Sequence, residues 1–267
     1  MIETVKFEEV TQIKMSREIG GKPVYWVAAY LVDGLLIDTG CSYTSKELVA
    51  FLKGRDVRLA VNTHFHEDHV GGNRDIIETL GIDMYAHPDS IPFIAKKPEL
   101  YPYRQMVWGY PEPSSVRPVP DVIRTDRHAF RVIETPGHSA GHIALAEPSK
   151  GWFFTGDLFA RENPKFIRPE EHIGKTMASM RTIMEAAGGR LVLFTSVGKI
   201  VEDGRAALTA CMEYLSGLAL TAKKLSGEGM APEDIVKGMF GGEHNFAEIT
   251  NGQYTSLNLV RSLLDSG

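Results

Sequence analysis

The most constraining feature of this chain is the run from His64 to His69, which holds three histidines and two acids in six positions. On a helix, the side chains of His64 and His66 would point about 200° apart, whereas in an extended segment they project to the same side. The stretch "LAVNT" just before them is typical of a buried strand. We therefore place the run at the end of a strand, with Asp68 and His69 in the turn that follows.

Two further predicted strands end in residues of the same chemistry. "FRVIETPG" leads to His138, and "WFFTG" leads to Asp157. Imidazole and carboxylate groups are ligands of zinc, iron and manganese, and a buried cluster of them is costly without a metal or mutual pairing. The sequence therefore predicts two adjacent metal sites that share one carboxylate. The first consists of His64, His66, His138 and Asp157, and the second of Asp68, His69 and the same Asp157.

The rest of the first two hundred residues predicts a mixed α/β fold. Apolar or alternating runs bounded by turn residues are typical of strands, and they occur at 25–32, 34–40, 58–64, 83–87, 129–138, 142–147, 152–157 and 190–196. Helical spacing is found at 45–54, 72–81 and 173–189. The turn "PSKG" joins two of the strands directly, so we expect part of the sheet to be antiparallel.

The pattern becomes purely helical from about residue 204. Three helices are predicted at 204–227, 231–242 and 255–267, and Pro232 suits the first turn of the second one. We therefore divide the chain into a domain at 1–205 and a helical C-terminal annex at 206–267.

The segment 88–128 is rich in proline and aromatic residues and has little periodicity. A connection of this length in a compact domain is typical of a lid or a binding loop, and its large aromatics argue against disorder.

Composition limits the classes of partner. The chain has 267 residues, 43% of them hydrophobic, enough for one substantial core with a small annex. A formal charge of −5 gives no general attraction to nucleic acid or to anionic lipid. The sequence shows no apolar run of membrane-spanning length and no secretory signal, so the cytoplasm is the expected location. Cys41 and Cys211 are expected to be free thiols with a packing role.

Four motifs together resemble the metallo-β-lactamase superfamily, in the branch that includes glyoxalase II and lactonase-like hydrolases. They are "LLIDTG", "THFHEDHVGG", "TPGHSAGHIAL" and "FFTGDLF", in the family's order over about residues 25–205. The resemblance implies a four-layer αββα sandwich with the metal centre at one edge between two sheets, followed here by the helical annex. It also implies that Asp38 supports the ligand loop without binding metal, although Asp38 could equally serve only as a turn-forming residue.

One position departs from the family pattern. After a last strand, the family usually presents a histidine that completes the second metal site, whereas Val197 stands at that place here. The second metal could bind weakly, another residue could replace the ligand, or the protein could use one metal. His172 and His244 are candidates for the replacement, with an ordinary exposed histidine as the alternative for each. His142 is expected to pack or to form hydrogen bonds near the site.

The resemblance implies a metal-dependent hydrolase with zinc as the expected ion, either as two ions or as one with a weak second site; iron or manganese are alternatives. Such an ion lowers the pKa of bound water toward about 7, and the hydroxide attacks a thioester, ester or lactone carbonyl of a small molecule. Asp68 would orient the water or transfer a proton. Tyr101, Tyr103 and Tyr110 are candidates for substrate contacts. Arg161, with Lys165 and Arg168, either binds a substrate carboxylate or forms a solvated basic face.

Other functions remain open on the sequence alone. A sulfur dioxygenase of the same superfamily uses a single iron, which the missing histidine favours. Phosphodiester cleavage is disfavoured by the acidic balance of the chain, and no nucleic-acid or membrane partner is expected. A non-catalytic metal-binding module is a further alternative, and the apolar C-terminal helices could support a homodimer.

Overall fold

The computed structural model describes residues 1–266. Gly267, the last residue of the predicted annex, lies outside them. The strands in chain order are β1 (Ile2–Phe7), β2 (Val10–Met15), β3 (Glu18–Ile19), β4 (Lys22–Pro23), β5 (Val27–Val32), β6 (Gly34–Ile37), β7 (Val57–Val61), β8 (Asp83–Ala86), β9 (Arg117–Pro118), β10 (Val122–Arg124), β11 (Ala129–Glu134), β12 (Ile143–Glu147), β13 (Trp152–Gly156), β14 (Val192–Thr195) and β15 (Ile200–Val201).

A 3₁₀ turn at Ser42–Thr44 precedes the first α-helix. The α-helices are α1 (Ser45–Leu52), α2 (Glu67–Val70), α3 (Asn73–Leu80), α4 (Ile91–Ile94), α5 (Pro102–Val107), α6 (Ile173–Ala186), α7 (Gly204–Gly227), α8 (Pro232–Phe240), α9 (Asn245–Ile249) and α10 (Ser256–Asp265).

The strands form two sheets and one short ribbon. The first sheet has the order β1-β2-β5-β6-β7-β8-β9, the second has the order β10-β11-β12-β13-β14-β15, and β3 pairs with β4. Both sheets are mixed, with parallel pairing in β6-β7-β8-β9 and in β13-β14. The predicted antiparallel pair at the "PSKG" turn is confirmed, because β12 pairs antiparallel with β13.

The alternation of side chains along each strand produces the four layers. In β6, Leu35 and Ile37 pack into the core between the two sheets, whereas Leu36 packs into the outer core of the first sheet, together with Leu48 of α1 and Ile76 of α3. The second sheet behaves in the same way, since Trp152 and Phe154 face the first sheet and Phe153 faces the helices on the other side. The predicted αββα sandwich is confirmed.

The C-terminal helices share the outer core of the second sheet. Leu208, Cys211 and Leu215 of α7 belong to the same cluster of buried residues as Phe153 of β13 and Leu193 of β14. The predicted helices are confirmed over the described residues, while the division into domains at residue 205 stays a prediction. Cys41 and Cys211 are free and buried, as expected. None of the helices found in residues 1–266 combines the length and the apolar character that a membrane crossing requires.

Two regions differ from the sequence-based expectation. The segment 88–128 has structure of its own, because it contains α4, α5, β9 and β10. The strands β1 and β2 were not predicted, since β1 lies at the edge of the first sheet with mostly exposed side chains and so lacks a clear apolar pattern.

We expect Gly71→Ala to lower the free energy of unfolding by about 2 kcal/mol or more, because the new Cβ would lie 2.4 Å from the backbone nitrogen of Ser42. Gly217→Ala is the matched control. It lies inside α7 with no atom within 4 Å of the new Cβ, so helix propensity should raise stability by up to ~1 kcal/mol. Urea denaturation of both variants tests this, and equal effects would contradict the close contact at Gly71.

Candidate metal centre

The first group of donors begins where β7 ends. His64 and His66 lie in the extended loop between β7 and α2, and the two imidazoles approach each other with 2.8 Å between His64 Nε2 and His66 Nδ1. Both side chains are buried. The chain therefore presents the two rings together, as the spacing of the motif predicts for an extended segment.

Two other strands bring further donors to the same place. His138 follows β11, and its Nε2 lies 3.0 Å from His66 Nδ1 and 3.2 Å from Asp157 Oδ2. Asp157 comes directly after β13 and Gly156, which has a φ of +48°. A side chain at Gly156 would meet Thr63 Oγ1 at 2.8 Å, so the close approach of the two loops requires glycine there.

The second group is next to the first and shares Asp157. Asp68 and His69 lie on the short helix α2, and His69 Nε2 is 3.2 Å from Asp157 Oδ1 and 3.8 Å from Asp68 Oδ2. In each group the donor atoms lie within 4.8 Å of one another. The structure thus brings together all six residues from which the sequence predicts the metal sites.

Asp38 holds these loops without joining either group. Its Oδ1 accepts a hydrogen bond of 2.7 Å from the backbone N–H of Thr63, and its Oδ2 accepts one of 2.8 Å from Thr63 Oγ1. The same Oδ2 lies 2.8 Å from His69 Nδ1, which leaves His69 Nε2 free to face the second group. The predicted supporting role of Asp38 is confirmed.

His142 also supports the site, as expected. Its Nε2 accepts a hydrogen bond of 3.1 Å from the backbone N–H of Asp157, and its Nδ1 lies 2.8 Å from Thr135 Oγ1. Burial lowers the pKa of His142 to about 3, so the ring remains neutral and acts as an acceptor.

The charges of the donors suit a cation. Burial, reinforced by neighbouring cationic groups, lowers the pKa values of His64 and His66 well below the usual range, so both rings are neutral. Burial raises the pKa of Asp157, but His138 and His69 outweigh it and hold that pKa well below the usual value. Burial raises the pKa of Asp68 to about 6. The neutral imidazoles of His64 and His66 beside the ionised carboxylate of Asp157 are suited to bind metal.

One buried atom supports this interpretation directly. His69 Nε2 is buried and lies 3.2 Å from Asp157 Oδ1, but no described residue forms a well-aligned hydrogen bond with it, although such atoms are normally satisfied. A metal ion in the second group would satisfy it. Because both groups offer only nitrogen and oxygen donors, they fit zinc, iron or manganese.

A buried arginine lies against the first group. Arg168 is only 5% exposed, so the expected solvated basic face is wrong for this residue. Its Nη1 lies 3.3 Å from His66 Nε2, and its Nη2 lies 3.2 Å from His138 Nε2. Glu171 faces the other side of the imidazole of His138, with 3.4 Å between Oε2 and Nδ1. No local sequence pattern indicates this arrangement, because Arg168 stands in a segment of mostly exposed polar residues.

A second buried ion pair ties the metal motif to the 88–128 segment. Glu67, within the motif, accepts two hydrogen bonds from Arg104 of α5, with distances of 2.6 Å from Nε and 2.5 Å from Nη2. Paired contacts of this kind fix orientation as well as charge. Arg104 therefore anchors α5 over the metal motif.

A cavity of about 530 Å³ opens beside the centre, and His138 and Asp157 are part of its wall. Of the candidate substrate residues, Tyr103 and Arg161 line the cavity, as does Lys165. Tyr103 is buried and its hydroxyl donates a hydrogen bond of 2.6 Å to Gln253. Tyr101 and Tyr110 lie outside the cavity wall, since Tyr101 is 39% exposed and Tyr110 packs under the ammonium group of Lys97.

The position of the absent ligand is occupied by an apolar side chain. Val197 lines the cavity, and the hydroxyl of the preceding Ser196 donates a hydrogen bond to Asp157. His172 and His244 belong to neither group of donors, because each caps a helix and accepts a hydrogen bond from a backbone N–H through its ring. Within residues 1–266, no histidine replaces the family's missing ligand.

The chain belongs to the metallo-beta-lactamase superfamily, whose sequence model matches residues 27–196, well over half of the chain. Curated relatives include several hydroxyacylglutathione hydrolases, which are glyoxalase II enzymes, so the predicted branch is confirmed. Family and donor groups together imply a divalent metal ion.

Individual relatives are distant. The chain is similar to the probable metallo-hydrolase YybB of Bacillus subtilis, with 30% identity over 129 residues that cover 48% of this chain and 57% of the relative. Hydroxyacylglutathione hydrolase GloC of Haemophilus influenzae is 27% identical over 182 residues, covering 65% of this chain and 84% of that protein. A beta-lactamase domain protein from Burkholderia ambifaria has a TM-score of 0.67 at 18% identity, over 100% of this chain and 86% of the other, which shows the fold alone.

We expect Arg168→Gln to increase the affinity of the centre for zinc by about tenfold or more, because it removes a fixed positive charge next to the donors. Competition with a zinc-binding chelator measures this. Lys165→Gln is the control, since it removes an exposed and solvent-screened cation from the wall of the neighbouring cavity. Unchanged affinity in Arg168→Gln would show that the guanidinium does not oppose the ion.

We expect Val197→His to raise bound metal toward two ions per chain, because it adds an imidazole to the group of Asp68, His69 and Asp157. Val24→His places a histidine elsewhere in the same cavity wall and should leave the metal content unchanged. Elemental analysis of both proteins is the measurement. An equal metal content in the two variants would contradict the placement of Val197.

Proposed function

We propose that the protein hydrolyses a small-molecule thioester, ester or lactone, with zinc held by His64, His66, His138 and Asp157. The observation that carries the proposal is that two members of this group, His138 and Asp157, form part of the wall of the 530 Å³ cavity, which is a suitable size for a small substrate. The names of the hydroxyacylglutathione hydrolase and metallo-hydrolase relatives support the same chemistry. The chain covers 57% of the first relative's length. The activity of the whole protein is therefore part of this proposal.

Each residue near the metal centre has a separate role in the proposed hydrolysis. A bound divalent ion supplies a Lewis acid and lowers the pKa of a water ligand. Asp68 has the position and the raised pKa to accept a proton from the attacking water and to return it to the leaving group. Arg168 provides a fixed positive charge that stabilises the negative charge developing on the carbonyl oxygen. Tyr103 binds Gln253 and so closes the wall without taking part in the reaction.

A second candidate function has its own supporting observation. The second group offers three donors, and Val197 contributes none, which suits a protein that binds a single ion. A sulfur dioxygenase with one iron fits this arrangement. Iron content and oxygen uptake with glutathione persulfide separate the two functions, because hydrolysis consumes no oxygen.

We expect His66→Ala to lose most of the bound metal and to reduce turnover of thioester or ester substrates by at least about a hundredfold, since the first group loses a central donor. Metal analysis and kinetics on the same preparation provide the test. His244→Ala is the control because that histidine belongs to neither donor group. Normal metal content and turnover in His66→Ala would contradict the ligand assignment.

A further inference from the structure

Three segments of the chain contribute much of the apolar wall of the cavity beside the metal centre. The 88–128 segment contributes Met106 and Trp108, and the stretch after β13 contributes Phe159 and Phe166. The annex contributes Leu215, Phe246 and Ile249. The C-terminal helices thus form part of the space in which a substrate must lie.

The innermost part of the wall carries no charge. Met180 of α6 and Cys211 and Leu215 of α7 are all buried in the outer core of the second sheet. Burial raises the pKa of the Cys211 thiol to about 12, so this side chain is neutral too. A polar group placed against these residues would lose its water without gaining hydrogen bonds.

The charged residues of the wall lie elsewhere. Asp157 belongs to the donor groups, and Glu171 faces His138. Arg161 and Lys165 are exposed, so their charged ends are in contact with solvent. The cavity therefore combines a polar reactive end with an apolar interior.

Exposed apolar side chains mark the entrance. Tyr25, Met106 and Ile249 all line the cavity, yet they are 41%, 43% and 64% exposed. Single exposed apolar residues are ordinary, but three on the lining of one cavity place apolar surface between solvent and the interior. Contact with an apolar ligand would remove this surface from water.

We infer that the substrate carries an apolar acyl chain, which fills this cavity while its carbonyl lies at the metal centre. This inference rests on the proposed hydrolysis and names the substrate class. Water adds to the acyl carbon, the bond from carbon to sulfur or oxygen breaks, and a proton passes to the leaving thiol or alcohol. The products are a carboxylic acid and the free thiol or alcohol. Glutathione, a charged tripeptide, does not match the apolar interior.

Calorimetric titration of the full chain with butanoate, hexanoate, octanoate and decanoate tests the inference. The carboxylate head group is constant, so any change in Kd along the series reflects the length of the acyl chain alone. We expect Kd to fall about fourfold for each added methylene until the cavity is filled. A total change below about twofold across the series would overturn the inference.

Two pairs of variants locate the binding. Leu215→Phe should weaken octanoate binding more than butanoate binding, because it fills the cavity from within. Leu220→Phe on the same helix is 73% exposed and lies outside this cavity, so it serves as the control. Ile249→Ser at the exposed entrance avoids a folding defect and should weaken octanoate about fivefold, with Leu220→Ser unchanged. Equal effects within both pairs would show that the acyl chain binds outside this cavity and would overturn the inference.

The experiment separates the two proposals. Binding that depends on chain length without turnover of any thioester, ester or lactone would contradict the hydrolase alone. Turnover of acetyl esters together with a flat binding series would contradict the acyl-chain inference alone.

Discussion

The structure depends on one electrostatic constraint, which is that imidazoles and carboxylates from four segments are buried within a few ångströms of one another. Such a cluster is expensive unless each atom has a partner. The protein satisfies the outer side of the cluster with its own groups: Asp38 faces His69, Thr135 faces His142, and Glu171 faces His138. The inner side is left to Nε2 of His69 and the neighbouring donors, where a cation completes the balance. The two sheets hold the loops that carry these side chains within a few ångströms of one another.

The distance along the sequence between two residues determines whether their contact at the site could be predicted. The donors of the motif from His64 to His69 are neighbours in the chain, and the apolar patterns of β11 and β13 point to the edge where His138 and Asp157 arrive. Contacts between distant segments carry no such local signal. Arg104 meets Glu67 across 37 positions and Arg168 meets His66 across 102, and nothing in the sequence near either arginine distinguishes it from an exposed cation. The edge strand β1 could not be predicted for a different reason. Its side chains are mostly exposed, so its sequence shows no clear alternation of apolar and polar residues.

These long-range contacts also explain how the C-terminal helices, which lie outside the matched family region, reach the centre. Helix α5 is held to the metal motif by Arg104 and to the annex by the hydrogen bond from Tyr103 to Gln253. Residue Thr255, just before α10, pairs with Ile167, one residue from Arg168. The 88–128 segment, the loop after β13 and the C-terminal helices therefore surround the same cavity.

The two donor groups are unequal, and the inequality has a physical origin. The first has three imidazoles and a carboxylate, which is a full set for a tetrahedral ion. The second has one imidazole and two carboxylates, one of them shared, and the place of a fourth donor is taken by the side chain of Val197. Ser196 further engages the shared carboxylate of Asp157. Asp157 therefore belongs to both groups and also accepts the hydrogen bond from Ser196, so the second group has fewer donors of its own than the first.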